Sequence, residues 1–201
     1  MEDMIGRFKL FLAGQGKFQQ VARTHRHSDD HNQAHGADDH TNRTRSFWLG
    51  ASSFTLRTGT PVLAAQGSNT RYRAWAMDAT TIEAVVGEFV MPADYVSGAI
   101  TTKLYWTNLG AGAGNVDWAV ALGSTADGGD LNGVFTSLPT DVVAAPTLGL
   151  LDIYTHSVSL TPGASPQVTR CTISRVGNSG TDTLANDAGL IGLLIEYTSD
   201  M

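Results

Sequence analysis

Beyond Ser46 the apolar residues of this chain come in short segments, most of them alternating, and each is cut off by a cluster of Gly, Pro, Asn or Asp. Such punctuation is the mark of strands joined by turns, as in a sandwich or barrel. The plainest case is Ile100, Thr102, Leu104 and Trp106 against Thr101, Lys103 and Tyr105, followed by Val116, Trp118, Val120 and Leu122 against Asp117, Ala119 and Ala121. A period of two turns one set towards a core. No segment after residue 46 sustains a 3.6-residue period beyond two turns, apart from a turn at Pro92 to Ser97. Parallel crossovers need helices that this pattern lacks, so the domain is expected to be all-β and antiparallel.

About eight strands are expected: Phe47 to Leu56, Arg71 to Met77, Thr81 to Met91, the two named above, Leu148 to Leu160, Val168 to Val176 and Leu190 to Tyr197. The glycine-rich linker from Asn108 to Asn115 is expected to make the central pair a hairpin with a flexible tip. Thr58 to Thr70, Ser124 to Gly133 and the stretch holding Pro139 and Pro146 read as turns or irregular chain, and Thr161 to Pro166 as a turn. Charged residues at 16% fall below the usual ~25% of soluble domains. Long exposed helices are rich in Lys, Glu and Arg, so this scarcity argues against a helical bundle.

The 201 residues suffice for one substantial core. Composition divides them into an arm, residues 1–45, and a β domain, residues 46–201. From Thr24 to Arg43 the arm has almost no large apolar side chain and cannot offset the entropy of ordering itself. Its first residues differ: Met4, Ile5, Phe8, Phe11 and Leu12 make an apolar anchor, as a helix face or a strand face, that is expected to dock on a neighbouring subunit or another protein. Arg7 and Lys9 interrupt this stretch, and neither a secretory signal nor a membrane span is expected. A net charge of −6 removes the attraction on which nucleic-acid binding mostly rests. The lone Cys171 excludes an intrachain disulfide and a multi-cysteine zinc site, which fits synthesis in a reducing cytoplasm.

Several residue sets have chemical potential. His27, His31 and His35 are spaced by four, and on a helix that spacing stacks imidazoles on one face, where they could hold a structural metal ion. Asp29, Asp30, Asp38 and Asp39 are poor helix formers, and a solvated arm is the plainer reading. Asp127, Asp130 and Asn132 are oxygen ligands of the kind calcium accepts, but their spacing is not that of an EF-hand. The run Gly110 to Gly114 lacks the helix and the Lys-Ser/Thr pair of a phosphate-binding loop. Asp152, His156 and Ser157 supply triad residue types, yet neighbours on one strand face opposite ways and no nucleophile elbow is present. No catalytic residue is assigned, no cofactor is expected, and a non-enzymatic protein is predicted. Trp106 and Trp118 are expected in the core, while Phe47 and Trp48, beside the arm, are the interface candidates.

Three stretches carry a family resemblance: Gly67-Ser-Asn-Thr-Arg-Tyr-Arg-Ala-Trp-Ala-Met-Asp78; Phe89-Val-Met-Pro-Ala-Asp-Tyr95 with Lys103-Leu-Tyr-Trp106; and Arg175 through Asp182-Thr-Leu-Ala-Asn-Asp-Ala-Gly-Leu190 to Glu196-Tyr197. Over roughly residues 55 to 198 the chain resembles virion structural proteins of tailed bacteriophages. That resemblance implies a jelly-roll domain, commonly a homotrimer, displayed on the virion and assembled in the host cytoplasm. Its partners would be itself and major capsid or tail proteins. The absence of a coiled-coil shaft favours capsid decoration or cement, or a short head or tail fibre. The alternative is a glycan-binding module that recognises a host surface, since antiparallel sandwiches often carry lectin sites.

Overall fold

A computed structural model describes residues 43–95, 98–132, 135, 140–158 and 167–199. The expected metal ligands His27, His31 and His35 and the anchor residues Met4, Ile5, Phe8, Phe11 and Leu12 lie outside them. Among the described residues there are eleven strands: β1 (Arg43–Gly50), β2 (Phe54–Thr58), β3 (Val62–Gln66), β4 (Tyr72–Met77), β5 (Ile82–Val90), β6 (Ile100–Asn108), β7 (Asn115–Thr125), β8 (Asp141–Ala144), β9 (Leu151–Val158), β10 (Val168–Val176) and β11 (Ala188–Ser199).

They form two antiparallel sheets. One has the order β3-β4-β11-β6-β9, with β1 paired to the second half of β11, and the other has the order β2-β5-β10-β7-β8. From β4 to β7 the chain changes sheet at every connection, and it does so again from β8 through β11, which gives the jelly-roll sandwich. The expected fold class holds.

Local expectations needed correction. The strand expected over Phe47 to Leu56 is two, because a 3-10 turn at Ala51–Ser53 sends β1 into one sheet and β2 into the other. Strands β3 and β8 lie within stretches expected to be irregular. The central pair is no hairpin: β6 and β7 belong to opposite sheets, and the linker between them crosses the end of the sandwich. Nor is that linker a free tip. A Cβ on Gly110 would stand 2.3 Å from the Asn186 side chain, and one on Gly114, whose φ is +156°, would stand 2.7 Å from the Thr183 backbone. These glycines serve close packing rather than motion.

Between the sheets Trp106 and Trp118 are both buried and meet edge to face at 5.6 Å. Leu104, Leu122, Ile173, Leu190 and Leu193 fill the space around them. Each such side chain contributes roughly 1.5–3 kcal/mol on burial. One end of the core is closed by Arg175, whose guanidinium pairs with Asp182 and donates to the carbonyls of Met77, Leu184 and Asn186. Both side chains of the ion pair are fully buried. The pair therefore pins the 177–187 connection onto the sandwich.

Candidate functional site

Alternation along β1 sends its two aromatic residues opposite ways. Phe47 turns inward, half-buried against Phe89 and Tyr197 at ring distances of 5.0 and 6.2 Å. Of the two interface candidates, Phe47 therefore lies on the inner side of β1. Trp48 faces outward and stays 45% exposed.

The outer face of the six-stranded sheet is built in rungs fixed by strand register. Trp48, Leu194, Lys103 and Thr155 share one rung, and Gly50, Gly192, Tyr105 and Ile153 share the next. Thr107 and Leu151 pair one step further on. Without side chains on Gly50 and Gly192, the Trp48 indole lies down across the sheet and meets Tyr105 edge-on at 4.8 Å. Beside it opens a cleft of about 540 Å³ walled by Trp48, Tyr72, Tyr105, Leu151, Ile191 and Leu194. That volume falls in the range of small-ligand sites.

The face is nearly devoid of free charge. Lys103 is bound to Glu196 at 2.8 Å, and the Thr107 hydroxyl donates to the Asn108 carbonyl. Tyr72, Tyr105 and Thr107 are the hydroxyl-bearing residues among those lining the cleft. Apolar surface continues past the cleft along β9, where Leu151 and Ile153 are 55% and 46% exposed, and into Leu148 and Leu150 before it.

The titratable groups that drew attention in the sequence are engaged elsewhere. Asp152 accepts the Trp106 indole N–H at 2.9 Å, and the His156 ring binds the Asp141 carboxylate on β8, tying the edges of the two sheets together. Asp152 and His156 thus form no triad. In the 126–132 turn the Asp130 carboxylate accepts the backbone N–H of Asn132, an ordinary Asx turn. Among the described residues no three His, Cys, Asp or Glu side chains are grouped to hold a metal ion. Cys171 is fully buried, and burial pushes its thiol up to about 12.

Two features escaped sequence reasoning. The outward tyrosines and β9 leucine and isoleucine were invisible as a surface until the sheet order brought them together. Arg175 looked like any strand-end arginine; the cluster of Asp182, Asn186 and Asp187 downstream was the only hint that it is enclosed.

No family model matches the chain, and no curated protein matches it. Among solved structures it is similar to a family 35 carbohydrate-binding module from Clostridium thermocellum, at 9% identity over 75% of this chain and 97% of that one, with a TM-score of 0.46. The CBM35 of Paenibacillus barcinonensis is 14% identical over 75% and 97%, with a TM-score of 0.45. The CBM22-1 xylan-binding domain of Xyn10C from the same organism is 14% identical over 81% and 97%, with a TM-score of 0.44.

Proposed function

We propose that the chain is a non-catalytic binding module that works through the outer face of its six-stranded sheet, and that its setting is the virion of a tailed bacteriophage. There it acts as a decoration or cement protein, or as a short head or tail fibre, with the N-terminal arm as anchor. The observation that carries the binding part of this reading is the face itself, a preset indole flanked by half-exposed apolar side chains, with the Lys103–Glu196 ion pair already satisfied; the virion setting rests on the sequence resemblance alone. Contiguous apolar surface of this kind marks contact with a partner rather than chemistry on a substrate. The engagement of His156, Asp152 and Asp182 in structural contacts is in keeping with this. Electron microscopy of particles, with and without the gene product, tests the setting; particles lacking matching density would refute it.

A glycan-binding reading is favoured by a separate observation. Trp48 is held against Gly50 and Gly192 with much of its surface open, beside two further phenol-bearing rings, and sugars stack their C–H faces on such platforms while hydroxyl groups bind the phenols. A glycan array on the intact protein, repeated with Trp48→Ala, decides it. Array signals that vanish in the variant would establish the site; a blank array would remove it.

A further inference from the structure

We infer that the outer face of the six-stranded sheet is covered by a second copy of this chain, with the β9 residues Leu151 and Ile153 and the Trp48 indole at the centre of the contact. This rests on the binding-face reading above and names the occupant of that face. Three observations single out this occupant.

The first is extent. The exposed apolar residues do not stop at the cleft walls: Ile153 follows the wall residue Leu151 along β9, and Leu148 and Leu150 lie just before that strand, each about half exposed. With Trp48 each offers on the order of 100 Å² to a partner, so the patch reaches roughly 500 Å², in the upper part of the range of a monomer's largest apolar patch, which is often functional. A standard interface buries about 800 Å² per partner, which a patch of this size and its polar rim can supply. A sugar would leave most of it in water.

The second is polarity. Pyranose hydroxyl groups need partners when water is stripped from them. Besides two tyrosines and Thr107, whose proton is already given to Asn108, the cleft is walled by Trp48, Gly149, Leu151, Ile191 and Leu194. An aliphatic surface from another sandwich needs none.

The third is charge. The chain carries a net charge of −6, so two copies repel unless they meet where neither presents free charge. On this face Lys103 and Glu196 cancel one another, and the rungs around Trp48, Tyr105 and Ile153 hold no other ionisable side chain except Tyr105. An acidic copy can settle here without a repulsive term, and a strongly basic partner would find nothing to attract it.

Light scattering coupled to gel filtration on the full chain at about 10 µM, where a micromolar interface is substantially formed, tests the inference. Wild type is expected at a multiple of 21.3 kDa. Leu151→Arg and Ile153→Lys are each expected to shift it to the monomer with unchanged circular dichroism. Val90→Lys, an equally exposed apolar residue in the other sheet, is expected to leave the assembly intact. A monomeric wild type, or an assembly that survives both β9 variants, overturns the inference, as does a monomer that binds glycan through Trp48. Failure of the virion reading is distinct: an assembly that the β9 variants dissolve, with no density on particles, keeps this interface and removes that setting.

Discussion

Gly192 lies directly beneath the indole of Trp48: a Cβ there would stand 2.4 Å from the indole Cζ2 and 2.5 Å from the carbonyl oxygen of Leu49. A Cβ on its register partner Gly50, two residues along β1 from Trp48, would stand 3.1 Å from Nε1 of the same ring. A cross-strand glycine pair in the middle of a sheet weakens it, because both residues forgo side-chain packing and cost backbone entropy. The aromatic seat is what they provide in return.

Gly192→Ala is therefore expected to lift Trp48 from the sheet. The clash with a backbone carbonyl cannot be relieved by a rotamer change alone, so a loss of about 1–3 kcal/mol is expected in urea denaturation. Indole fluorescence should shift as the ring is displaced. Gly50→Ala meets only the side chain at 3.1 Å, and a smaller loss is expected.

Arg175→Leu is expected to cost about 3–5 kcal/mol, because it leaves the Asp182 carboxylate buried without its partner. Arg175→Lys should recover little of this. A lysine ammonium cannot reproduce the fork that grips both carboxylate oxygens and three carbonyls at once. Denaturant midpoints of the two variants and wild type check both claims.

How far the sequence could be read follows from which signals are local. Alternation in Ile100 to Trp106 and Val116 to Leu122 is a property of each strand alone, and it placed Trp106 and Trp118 inside correctly. Which sheet a strand joins is decided by contacts distant in the chain, so the link from Asn108 to Asn115 read as a hairpin although it crosses the sandwich. Strands β3 and β8 were missed for a related reason. They are five and four residues long, form sheet edges and bury little, and their residue types, Val-Leu-Ala-Ala-Gln and Asp-Val-Val-Ala, do not alternate between polar and apolar. The same limit applied to the outer face, where Trp48 stood out as an interface candidate but Tyr105, Leu151 and Ile153 become its neighbours only through the pairing of β1, β11, β6 and β9.

The two central tryptophans offer a matched comparison. Trp106 donates its indole N–H to Asp152, whereas the buried Trp118 Nε1 has no hydrogen-bond partner. Substituting Phe removes similar volume at both positions. Trp106→Phe additionally deprives a carboxylate of its donor, so it is expected to cost about 1.5–3 kcal/mol more than Trp118→Phe, the worth of a hydrogen bond to a charged group. Equal losses in the two variants would show that the Asp152 contact contributes nothing.

Cys171 links burial to chemistry and to pH. Its thiol is held at about 12 in the folded chain by removal from water, against an ordinary value of 9.0. Since the thiolate is the nucleophile, the native protein is expected to be inert to a thiol reagent at neutral pH and to release one equivalent on unfolding in denaturant. The stability consequence has a definite sign. Below the ordinary value both states keep the proton, and pH has no effect through this group. Above it the unfolded chain loses its proton while the folded chain does not, so stability falls as pH rises towards 12. Burial also raises the phenols of Tyr95, Tyr154 and Tyr197, which add to the alkaline loss. The cysteine share is isolated by difference: denaturation midpoints of Cys171→Ala measured across this range should fall less steeply with pH than those of wild type, and parallel curves would mean that the buried thiol ionises as freely in the sandwich as in the unfolded chain.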